Sequence, residues 1–447
     1  MSVAAAEPGF APAPRARRDP VLLRFGPHLT LTLLHADLAL ITLWFIVTAA
    51  KFPMDELLLY PMALYFTASF FIWREATWPV LQRGFLLTLL PAWWMLSAIW
   101  SPEPMLAFRS GLQSLLTILI CMFIASRMTK QQFFTVILVA VGVLAIRCLP
   151  QSLLDFSLGK PSKAIFPHKN MLGLAMTVSF AISMAVLLSA TARPFVKLIA
   201  LGLAPITLFL VFASQSATAI LISIGAAGLI VGSQIFLGPR NEVTPPRVLM
   251  MAAAIAAAAI AALWAFNFLH QDPIDLVLGA LGKNRGLTGR TELWEIGVAK
   301  MAERPFFGVG AQGFWRYDES SEVRQIFYDY FKKRGDTFYF HNSWLEIGVS
   351  FGGIGVFFAA SAFGWAFLTA ARRAIVIGGS ENWALLAIGV AILVRTMTES
   401  DLFAQFSMLY MLFWVGVLTQ PPPTASVAPQ AEPGEWSPPQ RRVAFRP

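Results

Sequence analysis

The stretch FFTVILVAVGVLAI, residues 133–146, contains no charged side chain and lies between Lys130 and Arg147. Together with its flanks it approaches the roughly 20 apolar residues that a helix needs to cross a membrane. Stretches of this kind recur through most of the chain. The sequence therefore predicts a protein whose helices lie in a bilayer.

The composition also indicates a membrane protein. Hydrophobic residues make up 57% of the 447 residues and charged residues 13%, whereas soluble chains have about 45 to 50% and about 25%. The net charge is +9. In a membrane protein an excess of Lys and Arg first indicates how the helices are oriented in the bilayer, so it does not by itself indicate a nucleic-acid partner. Cys121 and Cys148 lie apart in apolar stretches, which excludes a disulfide framework and a thiolate metal site.

The apolar segments predict an all-α fold, a polytopic helical bundle of about 12 transmembrane helices with one long outer loop. Residues 28–269 form an N-terminal bundle, residues 270–341 the long loop and residues 342–419 the C-terminal helices. Residues 1–27 and 420–447 are predicted to be a disordered arm and tail. The predicted spans lie near 29–50, 56–73, 84–100, 106–126, 133–150, 170–190, 194–214, 217–237, 247–269, 342–369, 383–398 and 402–419.

The distribution of Lys and Arg predicts the orientation of the bundle. With the N-terminus inside, the short inner loops and the two ends carry more of these residues than the short outer loops do. Basic residues are retained on the cytoplasmic side of short loops. Both termini are therefore predicted to be cytoplasmic, and the long loop lies outside.

The end of the long loop contains two helix signals. Apolar residues between Thr291 and Ala302 recur at helical spacing, and Pro305 ends that pattern. Ser343 and Glu346 have the spacing of a capping box, which predicts a helix start. His341 would then lie just ahead of a transmembrane helix, at the mouth of the bundle.

Several short motifs follow one another in a fixed order along the second half of the chain. They are FPHKN at 166–170 with Gly173, GRTELW at 289–294, RPFFGVG at 304–310, HNSWLE at 341–346 and FGGIG at 351–355. In this order, before the last three helices, they resemble the O-antigen ligase and polysaccharide polymerase superfamily. The resemblance covers roughly residues 160 to 420.

This resemblance implies a membrane glycosyltransferase of the bacterial inner membrane. Such enzymes move a glycan from an undecaprenyl diphosphate carrier to a sugar hydroxyl at the periplasmic face, here in the synthesis of exopolysaccharide or O-antigen. It implies an inverting transfer that needs no metal and no other cofactor. The implied partners are the undecaprenyl diphosphate-linked glycan, membrane lipids, and a chain-length regulator and a flippase.

Such a transfer requires a base for the attacking hydroxyl and cations for the departing diphosphate. An imidazole exchanges protons near neutral pH, and the resemblance makes His341 the candidate base. The alternative is that His341 only caps a helix or binds a carbonyl group of the core.

Arg290 and Arg395 are the other candidate catalytic residues. Arg290 is chosen by its place in the GRTELW motif, the alternative being an ordinary solvated loop arginine. Arg395 follows the apolar run Val390–Val394, and a cation near hydrocarbon costs about 2.5 to 3.5 kcal/mol. Either a diphosphate or the carboxylate of Glu399, four residues later, would offset that cost.

A second outer loop, from Pro150 to Lys169, is predicted to be basic, with Arg147 assigned to its beginning and Lys160, Lys163, His168 and Lys169 along it. It is either a funnel for the anionic carrier or a solvated loop beside anionic lipids. Asn170 binds substrate oxygens or caps the next helix, and Trp294 stacks on a sugar or marks the membrane interface. The candidates for substrate binding are Arg147, Lys163, His168, Lys169, Asn170, Trp294, Asn342 and Glu399.

One motif departs from the superfamily pattern. Many members carry an arginine after a pair of serines at the end of the seventh span, where this chain reads Ser214-Gln215-Ser216-Ala217. Either Arg147 or a loop lysine replaces that cation, or this chain handles its carrier differently.

Three functions remain open. A polymerase joins lipid-linked repeat units, and a ligase transfers O-antigen to a lipid A core; the basic second loop favours the polymerase. A transporter is a third alternative, but no internal repeat is evident. The chain has neither an Asp-x-Asp pair nor an ATP-binding P-loop, which argues against nucleotide-driven chemistry. Glu399 and Asp401, two residues apart on a predicted helix, would not face each other as a hydrolase pair requires.

Overall fold

The computed structural model describes residues 21–25, 29–49, 54–237 and 290–419, with a few single positions between 244 and 253. Strands β1 (Val21–Phe25) and β2 (Leu29–Thr32) form an antiparallel hairpin. The helices are α1 (Leu33–Val47), α2 (Glu56–Ile72), α3 (Arg74–Gly84), α4 (Leu86–Leu96), α5 (Pro104–Arg127), α6 (Lys130–Ser157), α7 (Lys169–Leu188), α8 (Pro194–Ala213), α9 (Ala217–Leu237), α10 (Arg290–Glu303), α11 (Ser321–Asp329), α12 (Ser343–Val376), α13 (Ser380–Thr396) and α14 (Met408–Leu418).

The predicted fold class, a polytopic helical membrane protein, is confirmed. Each predicted span contains a helix, apart from 247–269, of which only single positions are described; residues 1–20 and 420–447 lie outside the described part of the chain. In the described part of the chain six helices are long and apolar enough to cross a membrane, or up to seven if a bent pair counts as one. Several shorter apolar helices pack among them.

The bent pair consists of α2 and α3, whose axes differ by 96°. The sequence predicts a loop after residue 73, because Arg74 and Arg83 interrupt the apolar run. The structure instead continues into a second helix beyond Trp73, whose backbone leaves the helical region. The apolar run ends at Trp73, where the helix axis turns, but helical hydrogen bonding resumes directly after this residue.

The hairpin also differs from the prediction, because β1 lies within the segment predicted to be a disordered arm. The arm as a whole is rich in Pro, Ala and Arg, but its last part reads VLLRF, and LTLT follows at residues 29–32. Apolar runs and alternating Leu and Thr favour strands. An average over the whole arm concealed this local pattern.

Helix α6 is longer than predicted and shortens the second outer loop. It begins with a capping box between Thr129 and Gln132 and continues past Pro150 to Ser157. A proline is tolerated inside membrane helices because neighbouring groups satisfy the freed carbonyl. The prediction of a loop from Pro150 was therefore wrong, and Arg147 lies on an exposed face of a helix.

Helix α12 is interrupted at Gly352, where φ is 65° and ψ is −169°. The segment 305–310, which precedes the helix in sequence, fills this interruption with backbone hydrogen bonds. Val309 N donates to Val349 O at 2.8 Å, Gly310 N to Ser350 O at 2.9 Å, and Gly353 N to Pro305 O at 2.7 Å. Backbone groups freed inside a membrane helix must find such partners. We call segment 305–310 the strap.

The described part of the long loop forms a small subdomain ahead of α12. Helix α10 covers the predicted helix and ends two residues before Pro305. Lys300 forms an ion pair with Glu303 of the same helix at 2.9 Å and joins α10 to α11 through a second ion pair with Glu322 at 3.0 Å. Its hydrogen bonds to these two carboxylates raise the pKa of Lys300. The subdomain has its own buried apolar cluster, formed by Leu293, Phe314, Val323, Ile326, Phe327, Phe338, Phe340 and Val349.

The contact between the strap and α12 leads to a prediction about Gly352. A Cβ atom there would lie 2.2 Å from the carbonyl carbon of Phe306, and the backbone conformation is one that essentially only glycine adopts. We expect Gly352→Ala to lower the free energy of unfolding by about 3 kcal/mol, measured by thermal unfolding in detergent. Gly364→Ala is the matched control, because nothing lies within 4 Å of its Cβ position in the same helix. Equal stability of the two variants would contradict the proposed contact.

Candidate active site

The start of α12 is fixed by Asn342 rather than by the predicted capping box. The Asn342 side chain accepts hydrogen bonds from Trp344 N at 3.0 Å and Leu345 N at 3.2 Å. The predicted cap, Ser343, instead donates to Glu399 O at 2.7 Å. Asn342 and Ser343 both suit a helix N-terminus, so spacing alone could not decide between them.

These bonds join α12 to the segment 397–407, which connects α13 with α14. Asn342 N donates to Ser400 Oγ at 3.0 Å, and Leu402 N donates to Ser343 Oγ at 3.2 Å. His341 and Glu399 are thereby held next to each other. The distance from His341 Nδ1 to Glu399 Oε2 is 3.7 Å, so the imidazole faces a carboxylate.

His341 itself adopts an unusual backbone conformation, with φ at 51°. The residue before it is fixed on both sides: Phe340 N donates to Glu346 Oε2 at 3.1 Å, and the indole N–H of Trp294 donates to Phe340 O at 2.9 Å. The ring of Phe338 lies 5.7 Å from the imidazole. A strained backbone of this kind persists where its surroundings over-determine it, often at functional sites.

Glu399 is charged at neutral pH in this environment. Burial by itself would raise the pKa of its carboxyl group, but the contact with the His341 imidazole and the positive charges of Arg395 and Arg290 outweigh burial and hold the pKa below its usual value. Both candidate arginines therefore act on the carboxylate that contacts His341. His341 contacts Glu399, and Arg395 and Arg290 contribute positive charge to the surroundings of its carboxylate.

Arg395 has a different ion-pair partner from the one that the sequence suggests. Its Nε and Nη2 atoms donate to Asp401 Oδ2 at 2.8 and 2.6 Å, and Tyr410 donates to the other oxygen at 2.6 Å. Glu399, the expected partner at i+4, does not pair with Arg395, because α13 ends at Thr396 and the chain then turns. The same turn overturns the argument that Glu399 and Asp401 lie two residues apart on a helix.

A cavity of about 840 Å³ opens beside this cluster, among the ends of α1, α2, α7, α13 and α14. Arg395 and Asp401 lie in its wall, and so does His168 at the start of α7. The rest of its polar lining is formed by the carboxylates and amides of Asp55, Glu56, Gln113 and Gln405 and by the hydroxyl groups of Thr48, Tyr60 and Ser407. The sequence analysis missed these residues, because they belong to separate segments that share no motif.

The first motif, FPHKN, lies against the unusual serine pair. Lys169 Nζ donates to Gln215 O at 3.4 Å, and a Cβ atom on Gly173 would meet Ser214 Oγ at 2.8 Å and Ser216 Cβ at 3.0 Å. A loop lysine thus supplies a cation beside the Ser214–Ala217 turn. Asn170 does not cap α7, because the helix begins one residue earlier.

The remaining candidates for substrate binding lie apart from the cluster. Arg147 and Lys163 are exposed and do not line the cavity. The indole N–H group of Trp294 donates to the backbone carbonyl of Phe340, as described above, and is therefore not directed at a ligand. A smaller cavity of about 410 Å³ lies at the other ends of α7 and α13, with Thr129, Gln132, Arg193 and Glu381 in its wall.

Two comparisons with known proteins bear on this site. The family model described as O-Antigen ligase matches residues 201–360, which include the strap, α10 and the start of α12. The chain is also 26% identical over 335 residues to the exopolysaccharide production protein ExoQ of Rhizobium meliloti (strain 1021), a match that covers 73% of this chain and 75% of that protein. Both matches agree with the motifs found in the sequence.

The lowered pKa of Glu399 predicts how the site responds to pH. A carboxyl group whose pKa is lowered on folding stabilises the protein above its unfolded pKa, about 4.3, and this contribution is lost as the pH falls through the lowered value. We expect Glu399→Gln to reduce the melting temperature by roughly 2 to 4 °C at pH 7 and by less on acidification below about pH 4. Glu295→Gln, at an exposed position of α10, is the control. A pH-independent difference would contradict the ion-pair assignment.

Proposed function

Since the resemblance to the O-antigen ligase and polysaccharide polymerase superfamily is confirmed by the family match and the relative, we propose that this membrane protein polymerises undecaprenyl diphosphate-linked oligosaccharide repeat units. The product is exopolysaccharide or O-antigen. The observation that carries the proposal is the His341–Glu399 pair with two arginines around it.

The pair has the arrangement of a general base with an orienting carboxylate. With Nδ1–H directed toward Glu399, the second ring nitrogen of His341 is free to accept a proton. A sugar hydroxyl that attacks an anomeric carbon would transfer its proton to this nitrogen, and the ionised Glu399 would stabilise the imidazolium that forms. Glu399 then acts as a partner of the base, a role different from the substrate contact that the sequence suggested.

The cations suit the leaving group. As the glycosidic bond to the carrier breaks, the diphosphate takes the electron pair, and fixed positive charges lower the energy of this step. Arg290, Arg395 and Lys169 are the candidates. Arg395 is held by Asp401, so part of its charge is already balanced, and Arg290 is the leading diphosphate contact. In this proposal the imidazole accepts the proton of the attacking hydroxyl, and the cations stabilise the negative charge of the departing diphosphate. The transfer therefore needs no metal ion.

The large cavity suits the sugar portion of the substrate. Carboxylates accept hydrogen bonds from hydroxyl groups, and amides both donate and accept them. Asp55, Glu56, Gln113 and Gln405 supply such groups in its wall. We propose that the cluster and the cavity lie at the periplasmic face of the bacterial inner membrane, as the resemblance implies, and that both termini are in the cytoplasm, as the Lys and Arg distribution predicts.

The second candidate function is O-antigen ligation, in which the same donor reacts with a lipid A core. The description of the matching family favours it, whereas the name of the relative concerns exopolysaccharide production. The basic second loop favoured a polymerase. This argument is now weaker, because the first half of that loop is helical. Donor chemistry at His341 is the same in both functions, and only the acceptor differs.

The decisive experiment incubates purified protein in lipid nanodiscs with lipid-linked oligosaccharide, EDTA and no nucleotide. We expect a ladder of longer lipid-linked products. His341→Asn should reduce the rate by about 10²- to 10⁴-fold, because asparagine tolerates a positive φ but cannot act as the base.

A folded His341→Asn variant with unchanged rate would remove His341 from the mechanism. Products formed only after addition of a lipid A core would assign the ligase function. If no covalent product forms under either condition, the proposal fails and transport of the lipid-linked glycan becomes the better explanation.

A further inference from the structure

The last turn of α11 and the residues after it carry aromatic side chains that are exposed to solvent. Phe331 is 94% exposed and Tyr328 is 78% exposed. Lys332, Lys333 and Arg334 follow directly and are exposed as well. We call residues 328–334 the aromatic turn. Large apolar side chains with this exposure, placed beside cations, are typical of a surface that binds a partner.

The backbone of the aromatic turn holds Phe331 outward at a position normally given to glycine. Phe331 N donates to Tyr328 O at 3.2 Å and Lys332 N to Phe327 O at 2.7 Å, which together form a Schellman motif at the end of α11. Phe331 occupies its left-handed position, with φ at 54°. Glycine is strongly preferred there, so the phenyl ring is not explained by the stability of the helix end.

A chain of contacts links the aromatic turn to the proposed base. The ammonium group of Lys332 lies 5.5 Å from the centre of the Phe338 ring, and Tyr330 lies 5.2 Å from the same ring. Phe338 in turn contacts the His341 imidazole at 5.7 Å. The aromatic turn is therefore separated from His341 by a single buried side chain, on the same subdomain.

We propose that the aromatic turn is a saccharide-binding subsite that holds the acceptor glycan as it approaches His341. Aromatic rings pack against the apolar faces of sugars while their hydroxyls remain solvated, and the lysines attract glycans that carry acidic groups. This inference rests on the proposed function, because it assigns the position of the acceptor in that reaction. A membrane surface, which also attracts aromatic and basic residues, is the competing occupant.

The test uses Phe331→Gly, a change that suits the backbone and should not impair folding. The probe is a set of oligosaccharides prepared by mild acid hydrolysis of the polysaccharide that the source cells secrete. We expect the variant in nanodiscs to bind them roughly 2- to 10-fold more weakly and to make shorter products, while still transferring a first unit. Phe331→Trp should restore both properties, which a purely structural role would not explain.

The outcomes separate this inference from the proposed function. Wild-type transfer with unchanged saccharide binding and product length in Phe331→Gly would overturn the subsite and leave the function intact. Saccharide binding by the wild type that is weakened in Phe331→Gly would support the subsite even if no transfer occurs.

The membrane alternative is tested with a bimane label on Lys333→Cys, which leaves Phe331 in place, since Cys121 and Cys148 are both buried. Quenching of the label by brominated lipids would overturn the saccharide assignment. Quenching by aqueous iodide that the oligosaccharides suppress would support it.

Discussion

The backbone contact between the strap and the interruption in α12 determines where the candidate active site lies. The strap lies within the subdomain that carries Arg290 and His341, and α12 begins two residues after His341. Two glycines permit this approach: Gly352 at the interruption and Gly308 in the strap, whose Cβ atom would lie 2.5 Å from the backbone of Ser350. This contact fixes the register of the subdomain on α12, while the hydrogen bonds of Asn342 and Ser343 to segment 397–407 hold the imidazole next to Glu399.

The site combines two halves of different physical character. Arg290 and His341 come from the small subdomain ahead of α12, which has its own apolar cluster, whereas Arg395 lies at the end of α13 and Glu399 and Asp401 follow that helix. Charged groups at the edge of the hydrocarbon region are costly and therefore occur in pairs. Asp401 offsets the charge of Arg395, and Glu399 is left to interact with His341. This division supports the proposal that the two carboxylates have separate roles, one structural and one in proton transfer.

The sequence predicted the helical class and most span positions, but it could not predict the pairing among His341, Glu399 and Arg395. The spans could be predicted from the length of the apolar segments, and the family resemblance from the order of the motifs. The partner of Arg395 depended on where α13 ends, and no periodic signal marks that position, so the i+4 rule selected Glu399. Arg147 was misplaced because a proline inside a membrane helix resembles a loop boundary. The cavity residues Asp55 and Gln113 come from distant segments, and only the packed bundle brings them together.

The most direct test of the account locates the lipid-linked glycan on the protein. A lipid-linked oligosaccharide with a photoreactive group on its sugar portion would be crosslinked to the protein in nanodiscs, and the modified peptides would be identified by mass spectrometry, with the unlabelled compound as competitor. The account predicts competed adducts in segments 166–171 and 395–409, which line the larger cavity. Competed adducts confined to segments 129–136 and 191–196, beside the smaller cavity at the other ends of α7 and α13, would contradict it.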